Sequence, residues 1–208
     1  MKLKILANNV LNFSINRVIE IIGMIILIAG VLLFAALITF SPDDPNFIFP
    51  NDTKIENILG FRGSFTADIF FQSFGLIALL IPFSFIVSGV NIIINKKIFS
   101  IIESIFYTIL YTLFGSLFFS FFYPLAFNLH INGNGGFIGN YLEATFLSSL
   151  IVINSQFSYY ILTLLILVLF LISIQFKLNF FYKVIKRIFN FLFSKKEKNY
   201  TNENEIIS

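Results

Sequence analysis

Polar residues along this chain fall in short clusters, and the apolar stretches between them are unusually long. Lys2, Lys4 and Arg17 precede an almost unbroken apolar run from Val18 to Phe40, which ends at Ser41-Pro42-Asp43-Asp44-Pro45. After a loop, apolar sequence resumes through Ala67-Asp68-Ile69-Phe70-Phe71-Gln72-Ser73-Phe74-Gly75 and continues to Ile94. Asn95-Lys96-Lys97 separates this from a third run, Ile98 to Phe127. The last run, Leu147 to Phe176, is interrupted by Asn154-Ser155-Gln156. A helix crosses about 30 Å of hydrocarbon with roughly 20 apolar residues. The pattern therefore predicts four transmembrane helices, at about 18–40, 67–94, 98–127 and 157–176. It predicts an interfacial helix over 137–153, with Phe137, Tyr141, Phe146 and Leu150 against lipid and Asn140 and Glu143 toward water. Beyond Lys177, Phe180, Phe181, Val184, Ile185, Ile188, Phe189 and Leu192 keep helical spacing around Lys183, Lys186 and Arg187. A basic amphipathic helix attracted to anionic lipid is expected there, then a disordered polar tail.

The predicted fold class is thus an all-α integral membrane protein. Residues 1–17 form an N-terminal segment, 18–176 a four-helix membrane domain with outer loops 41–66 and 128–156, and 177–208 the juxtamembrane helix and tail. Charge placement orients it. Lys and Arg accumulate on the cytoplasmic side of short membrane loops. Of the 14 Lys and Arg residues, only Lys54 and Arg62 fall in the first and third connections. The rest flank the first span, occupy the second connection or lie in the tail. Both termini are expected in the cytoplasm (N-in/C-in), with Asp43, Asp44, Asp52 and Glu56 in an outward loop.

Composition strengthens this picture. Of the 208 residues, 57% are hydrophobic and 12% charged, with mean hydropathy +0.88. A soluble domain carries about twice that charged fraction. The 30 Phe, without any Trp, accompany abundant Ile, Asn and Lys, which reads as codon bias and not as an aromatic binding stripe. Cys is absent, so neither disulfides nor thiolate metal sites can form. No small-residue cleavage pattern precedes the end of the first run, which is read as a retained membrane helix.

Chemistry is sparse. A single His130 lies in the third connection, where it reads as an ordinary loop residue. The sequence holds no Gly-x-x-x-x-Gly-Lys-Ser/Thr phosphate loop and no Gly-x-Ser-x-Gly nucleophile elbow. Ionisable residues lie near span ends. Glu20 stands three residues after Arg17 and is expected to pair with it. Glu103 follows Lys96 and Lys97, and Asp68 is expected at the N-terminus of the second span, where the helix dipole favours an anion. Pro42, Pro45 and Pro50 punctuate the first loop, while Pro82 and Pro124 are expected to kink spans two and three. Gly133, Gly135 and Gly136 with Asn128, Asn132 and Asn134 read as a flexible third connection. Ser84, Ser88, Gly115 and Ser116 mark interhelical contact faces. No catalytic, metal or cofactor site is expected.

Several motifs in order resemble the four-helix N-terminal membrane domain of the FtsK/SpoIIIE DNA translocases. They are Leu37-Ile38-Thr39-Phe40-Ser41-Pro42-Asp43-Asp44-Pro45, then Asn57-Ile58-Leu59-Gly60-Phe61-Arg62-Gly63, then Ala67-Asp68 with Phe70-Phe71-Gln72-Ser73-Phe74-Gly75, and finally Gly135-Gly136-x-x-Gly139-x-x-Leu142. The likeness covers about Arg17 to Phe176. It marks Ser41, Pro42, Asp44, Pro45, Gly60, Gly63, Ala67, Asp68, Phe71, Phe74, Gly75, Gly135, Gly136 and Gly139 as family-motif positions. At each of them turn geometry is weighed above direct partner contact.

In that family the membrane domain anchors a cytoplasmic hexameric ATPase that pumps double-stranded DNA through the closing septum. The resemblance implies an inner-membrane anchor and septal scaffold, with membrane lipid, other divisome membrane proteins and further copies of itself as partners. The phosphate-binding loops and the DNA-reading winged helix of the motor have no counterpart in these residues. Neither ATP binding nor direct nucleic-acid binding is therefore expected of them. The competing expectation is a small transporter or channel subunit, which requires a polar cavity at mid-membrane. A lipid-modifying enzyme would require converging His, Asp or Glu at one membrane surface.

Overall fold

The computed structural model describes residues 2–45, 54–124 and 132–176, together with Lys186. His130, Pro50, Asp52 and Asn128 lie outside the described residues, as does the expected amphipathic helix apart from Lys186. Every regular element among the described residues is helical. In chain order these are α1 (Lys2–Ile38), α2 (Gly60–Phe74), a 3₁₀ segment (Gly75–Leu80), α3 (Ile81–Asn95), α4 (Phe99–Phe122), α5 (Gly136–Glu143), α6 (Phe146–Ile153) and α7 (Ser155–Ser173).

Among the described residues, four helical stretches are long and apolar enough to cross a membrane: Val10–Ile38, Gly60–Asn95, Phe99–Phe122 and Ser155–Ser173. The chain is a multi-pass membrane protein. Large apolar side chains such as Ile21, Ile25, Phe106 and Leu164 are exposed, which suits a lipid solvent and not water.

The spans differ from the expected ones at their ends. Helix α1 starts at Lys2 and not at Val18, because nothing in its polar first turns breaks helical geometry. The second span starts at Gly60 and carries a break. Pro82 sits in the first turn of α3 and has no N–H to give the carbonyl of Ala78. Ile81 donates to that carbonyl instead, in the i→i+3 bond that closes the 3₁₀ segment. The proline therefore ends a short 3₁₀ stretch and does not kink a continuous helix. Pro124 lies in the turn after α4, which stops at Phe122, so it terminates the third span and does not bend it. The stretch expected as one interfacial helix is two, α5 and α6, bent by 74°. Thr145 caps α6 and Asn154 caps α7, the latter accepting from the Phe157 N–H at 3.1 Å. Asn154 is the interruption visible in the last apolar run.

The spans pack as antiparallel neighbours. Helices α1 and α3 cross with their backbones nearly touching. A Cβ placed on Gly89 would meet the Gly23 carbonyl oxygen at 2.8 Å and the Leu27 nitrogen at 2.7 Å. Close crossings at small residues are a main means of helix association in lipid, where no hydrophobic force acts between helices. Helices α4 and α7 instead pack through rings. Tyr111 meets Phe170 edge-on, and Phe118 and Phe122 both pack on Tyr159.

Inside the bundle, hydroxyls join α3, α4 and α7. Ser84 Oγ lies 3.0 Å from the Tyr111 hydroxyl and 2.9 Å from Ser173 Oγ, and Ser104 donates to the Ser173 carbonyl at 2.7 Å. Ser88 joins Ser104. These buried polar groups satisfy one another. Lys96, in the left-handed conformation, turns α3 tightly into α4. We refer to this turn as the hairpin end of the bundle, and to the opposite end, which carries the first and third connections, as the loop end.

Candidate functional site

The family-motif residues gather at the loop end in two clasps. The first closes the loop between α1 and α2. Asp44 is buried, and its two carboxylate oxygens accept the backbone N–H groups of Glu56 at 2.7 Å and Asn57 at 3.0 Å. Asn57 is buried as well. Its Nδ2 donates to the carbonyls of Ala36 at 2.8 Å and Thr39 at 3.2 Å, in the last turn of α1. Its Oδ1 accepts from the Leu59 N–H at 3.1 Å. A helix end leaves carbonyls without intrahelical donors. Here a side chain from beyond the loop supplies them.

The remaining positions fit around these two residues. The Ser41 carbonyl accepts from the Asp44 N–H in the turn that Pro42 occupies. The Pro45 carbonyl accepts from Ser64 Oγ. Gly63 lies so close to Asn57 that an added Cβ would fall 2.1 Å from Asn57 Oδ1. Below the clasp, Ala67 and Phe71 pack with Leu33, Ala36 and Leu37 of α1, and the Phe71 ring meets that of Phe40.

The second clasp joins the break in span two to the third connection. At Gly75 the helix is interrupted and the backbone adopts φ +70°. In lipid every freed backbone group must find a partner within the protein. The Phe74 carbonyl accepts from Ser116 Oγ of α4 at 2.8 Å, and the Leu76 N–H donates to the Asn134 carbonyl at 2.9 Å. Asn134 is fully buried, and its Nδ2 donates to the Tyr123 carbonyl at 2.5 Å. Gly135, Gly136 and Gly139 lie where a Cβ would meet, respectively, Ser120, the Gly75 nitrogen and the Ser116 carbonyl oxygen at 2.5, 2.5 and 2.3 Å.

Asn132 extends the clasp to α2. Its N–H reaches Gln72 Oε1 at 3.3 Å, and its Nδ2 reaches the Gln72 carbonyl at 3.2 Å. Asn140 Nδ2 then donates to the Asn132 carbonyl, and Ser120 links α4 to the carboxamide of Asn140 and to the carboxylate of Glu143.

These contacts correct three expectations. The Gly/Asn segment of the third connection is not flexible over residues 134–136; it is buried and closely packed, because glycine lets its backbone seat against α2 and α4. Glu143 turns toward Ser120 of the bundle and not toward water. Asp68 is not at a helix N-terminus. Helix α2 begins at Gly60, so Asp68 sits two turns in, buried, with Gln72 Nε2 at 3.5 Å from its Oδ1.

Other expectations match. Phe137, Tyr141, Phe146 and Leu150 are exposed along α5 and α6. Glu20 pairs with Arg17 at 2.5 Å and also takes Lys96 at 2.9 Å, which ties α1 to the hairpin end. Glu103 is exposed on α4. Gly115 and Ser116 do form a contact face, with Gly115 against Ile77.

Sequence reasoning left Asn57, Gln72, Asn132, Asn134, Ser116 and Ser120 off the site. A usable signal existed for Asn57, which opens a motif next to a helix end needing donors. Among the described residues, no group of three or more His, Cys, Asp or Glu is placed to hold a metal ion. The arrangement is suited to holding backbone in place.

The family described as the 4TM region of DNA translocase FtsK/SpoIIIE matches residues 16–188. The chain is 30% identical over 82 residues to the DNA translocase FtsK of Rickettsia typhi, a match covering 38% of this chain and 11% of that protein. It is 35% identical over 65 residues to the DNA translocase FtsK of Rhizobium meliloti, covering 31% of this chain and 7% of that protein. The matched stretches thus span about a tenth of these relatives' length. No solved structure shows a significant match.

Proposed function

Because the chain belongs to the family of the 4TM region of DNA translocase FtsK/SpoIIIE, we propose that it acts as a septal scaffold in bacterial cell division and chromosome segregation. In this reading it anchors an FtsK-type translocase in the inner membrane, with both termini in the cytoplasm. The chain itself performs no catalysis. Its partners are membrane lipid, other divisome membrane proteins and further copies of itself.

The observation that carries the reading is the convergence of the family-motif residues on two clasps at one end of the bundle. Asp44 and Asn57 build one, and Gly75 with Gly135, Gly136 and Gly139 build the other. The clasps hold the loop backbone in one conformation, as a scaffold that presents a fixed surface to other proteins requires. The charge distribution supports placing this surface outside the cytoplasm, since Lys96 and Lys97 lie at the opposite end.

The test is to fuse a fluorescent protein to the C-terminus and follow it through division. Enrichment at the septum, with filamentation on depletion, is the expected result. Uniform envelope fluorescence with normal division would overturn the proposal. A fluorescent protein that folds only in the cytoplasm tests the C-in orientation in the same strain.

A further inference from the structure

Helices α1 and α4 both pack beside α3 but splay apart, leaving a groove of about 150 Å³ between them. Ile25 and Ala29 of α1 form one wall, Ile101 and Ile105 of α4 the other, and Phe85 of α3 the floor. Exposed Ile25 and Ile105 at its rim open it to the lipid side. At a rise of 1.5 Å per residue, Ile25 and Ala29 stand roughly 12–18 Å along α1 from Arg17. That span is about half the hydrocarbon thickness, so the groove lies within one leaflet.

The hairpin-end side of the groove carries the cations. Arg17 on α1 and Lys96 after α3 both reach Glu20, and their side chains remain 58% and 39% exposed. Lys97 beside them is exposed. One carboxylate bridges two of three cations, so the cluster keeps positive charge. The other nearby acid, Glu103, is exposed and does not line the groove. A cationic cluster at headgroup depth next to an apolar groove at acyl depth complements one molecule at both ends.

We propose that this is a binding site for an anionic phospholipid. Its phosphate sits against Arg17, Lys96 and Lys97, and one acyl chain lies between α1 and α4. Arginine offers a planar array of donors suited to a phosphate, and lysine adds a compact charge. The lipid would fill the gap that α3 leaves between α1 and α4, and would fix the α1–α4 angle. The proposal does not depend on the septal role, since it concerns binding by the chain in any bilayer.

The absence of Trp from the chain permits a clean test. Phe85→Trp places a single emitter on the groove floor, with Ile105→Trp as a second probe. Phe106→Trp, on an exposed lipid-facing position outside the groove, is the control. Each full-length variant is reconstituted in vesicles of phosphatidylcholine containing brominated phosphatidylglycerol or brominated phosphatidylcholine with the same acyl chains.

The expected result is quenching of the groove probe by brominated phosphatidylglycerol at about five- to thirtyfold lower mole fraction, the preference of one or two cations for an anionic headgroup. The control should be quenched equally by both lipids. Arg17→Gln with Lys97→Gln should abolish the preference while helicity and thermal unfolding are retained. Lys97→Gln alone, which breaks no ion pair among the described residues, should reduce it. Equal quenching by the two lipids, a preference that survives charge removal, or a groove probe that neither lipid quenches would each overturn the proposal. The last outcome is the one expected if a second copy or another helix covers the groove.

Discussion

The loop end and the interior of the bundle are both polar places in an apolar molecule, yet they are built differently. In the interior, Ser84, Ser88, Ser104, Tyr111 and Ser173 join their hydroxyls across helices. Of these interhelical bonds one goes to backbone, from Ser104 to the Ser173 carbonyl that ends α7. At the loop end the helices stop or break, and the bonds from Asn57, Ser116 and Asn134 go to backbone groups that would otherwise lack partners. A hydroxyl that loses its partner in lipid can turn to its own helix. A freed carbonyl or N–H at a break has no such alternative. The difference teaches that polar residues in this protein should not be ranked by burial alone. They should be ranked by what they leave behind when removed.

Gly75→Ala should produce the largest effect and bears most directly on that contrast. At φ +70° and ψ −151° the backbone at Gly75 lies where essentially only glycine is found, and an added Cβ would fall 1.9 Å from the Asn134 carbonyl oxygen. That strain and overpacking against backbone together should cost about 2–6 kcal/mol. In a detergent-solubilised preparation the variant should unfold well below the wild-type temperature or fail to accumulate. Wild-type unfolding would show that the second clasp yields easily, and the contrast would fail.

Asn57→Ala should follow, at about 1–3 kcal/mol, the cost of leaving buried backbone groups unpaired. It removes the donors to Ala36 and Thr39 without adding bulk. Proteolysis at the first loop is a second readout, because opening of the clasp should expose the chain between α1 and α2 to cleavage. Unchanged cleavage together with unchanged stability would mean that water replaces the carboxamide at no cost.

How much of this was legible in the sequence follows the same division. The four spans could be read because crossing lipid requires a length of apolar residues and little else. Asn154 could be read because one polar residue in an apolar run has few reasons to be there. The contact faces at Ser84, Ser88 and Ser116 were visible as small polar residues in spans. The clasps were legible only as motifs. Nothing in the sequence says that Asn134 reaches the break at Gly75, since that contact joins residues far apart in the chain and depends on how α4 returns. Glycine clusters are ambiguous for the same reason: a flexible linker and a closely seated backbone call for the same residue. The start of α2 was misplaced because Gly60 to Thr66 is polar enough to look like loop, although Gly63 and Ser64 are buried against the first clasp.

Gly60→Ala separates strain from crowding. Gly60 has φ +65°, close to that of Gly75, but a Cβ there would meet nothing within 4 Å. The variant should lose only the left-handed penalty, about 1–2 kcal/mol, and Gly60→Asn should lose less because asparagine tolerates that conformation. If Gly60→Ala destabilises as much as Gly75→Ala, backbone strain explains both, and the packing of the third connection against span two contributes little.

The smallest effect is expected at the residue that looks most central. Ser84 is fully buried inside the bundle and touches both Tyr111 and Ser173. Its removal strands neither partner completely, because Ser173 Oγ also donates to the Phe170 carbonyl at 2.8 Å, and the Tyr111 hydroxyl has the Thr108 and Thr112 hydroxyls beside it. Ser84→Ala should therefore cost only about 0.6 kcal/mol, the average for interhelical side-chain hydrogen bonds in membrane proteins. Thermal unfolding in detergent measures it, with Ser84→Ala/Ser173→Ala completing a double-mutant cycle. A coupling energy near that of an isolated pair leaves the interior as a set of replaceable bonds. A coupling several times larger would mean that the hydroxyls act as one network, and the interior would then depend on its polar residues as the loop end does.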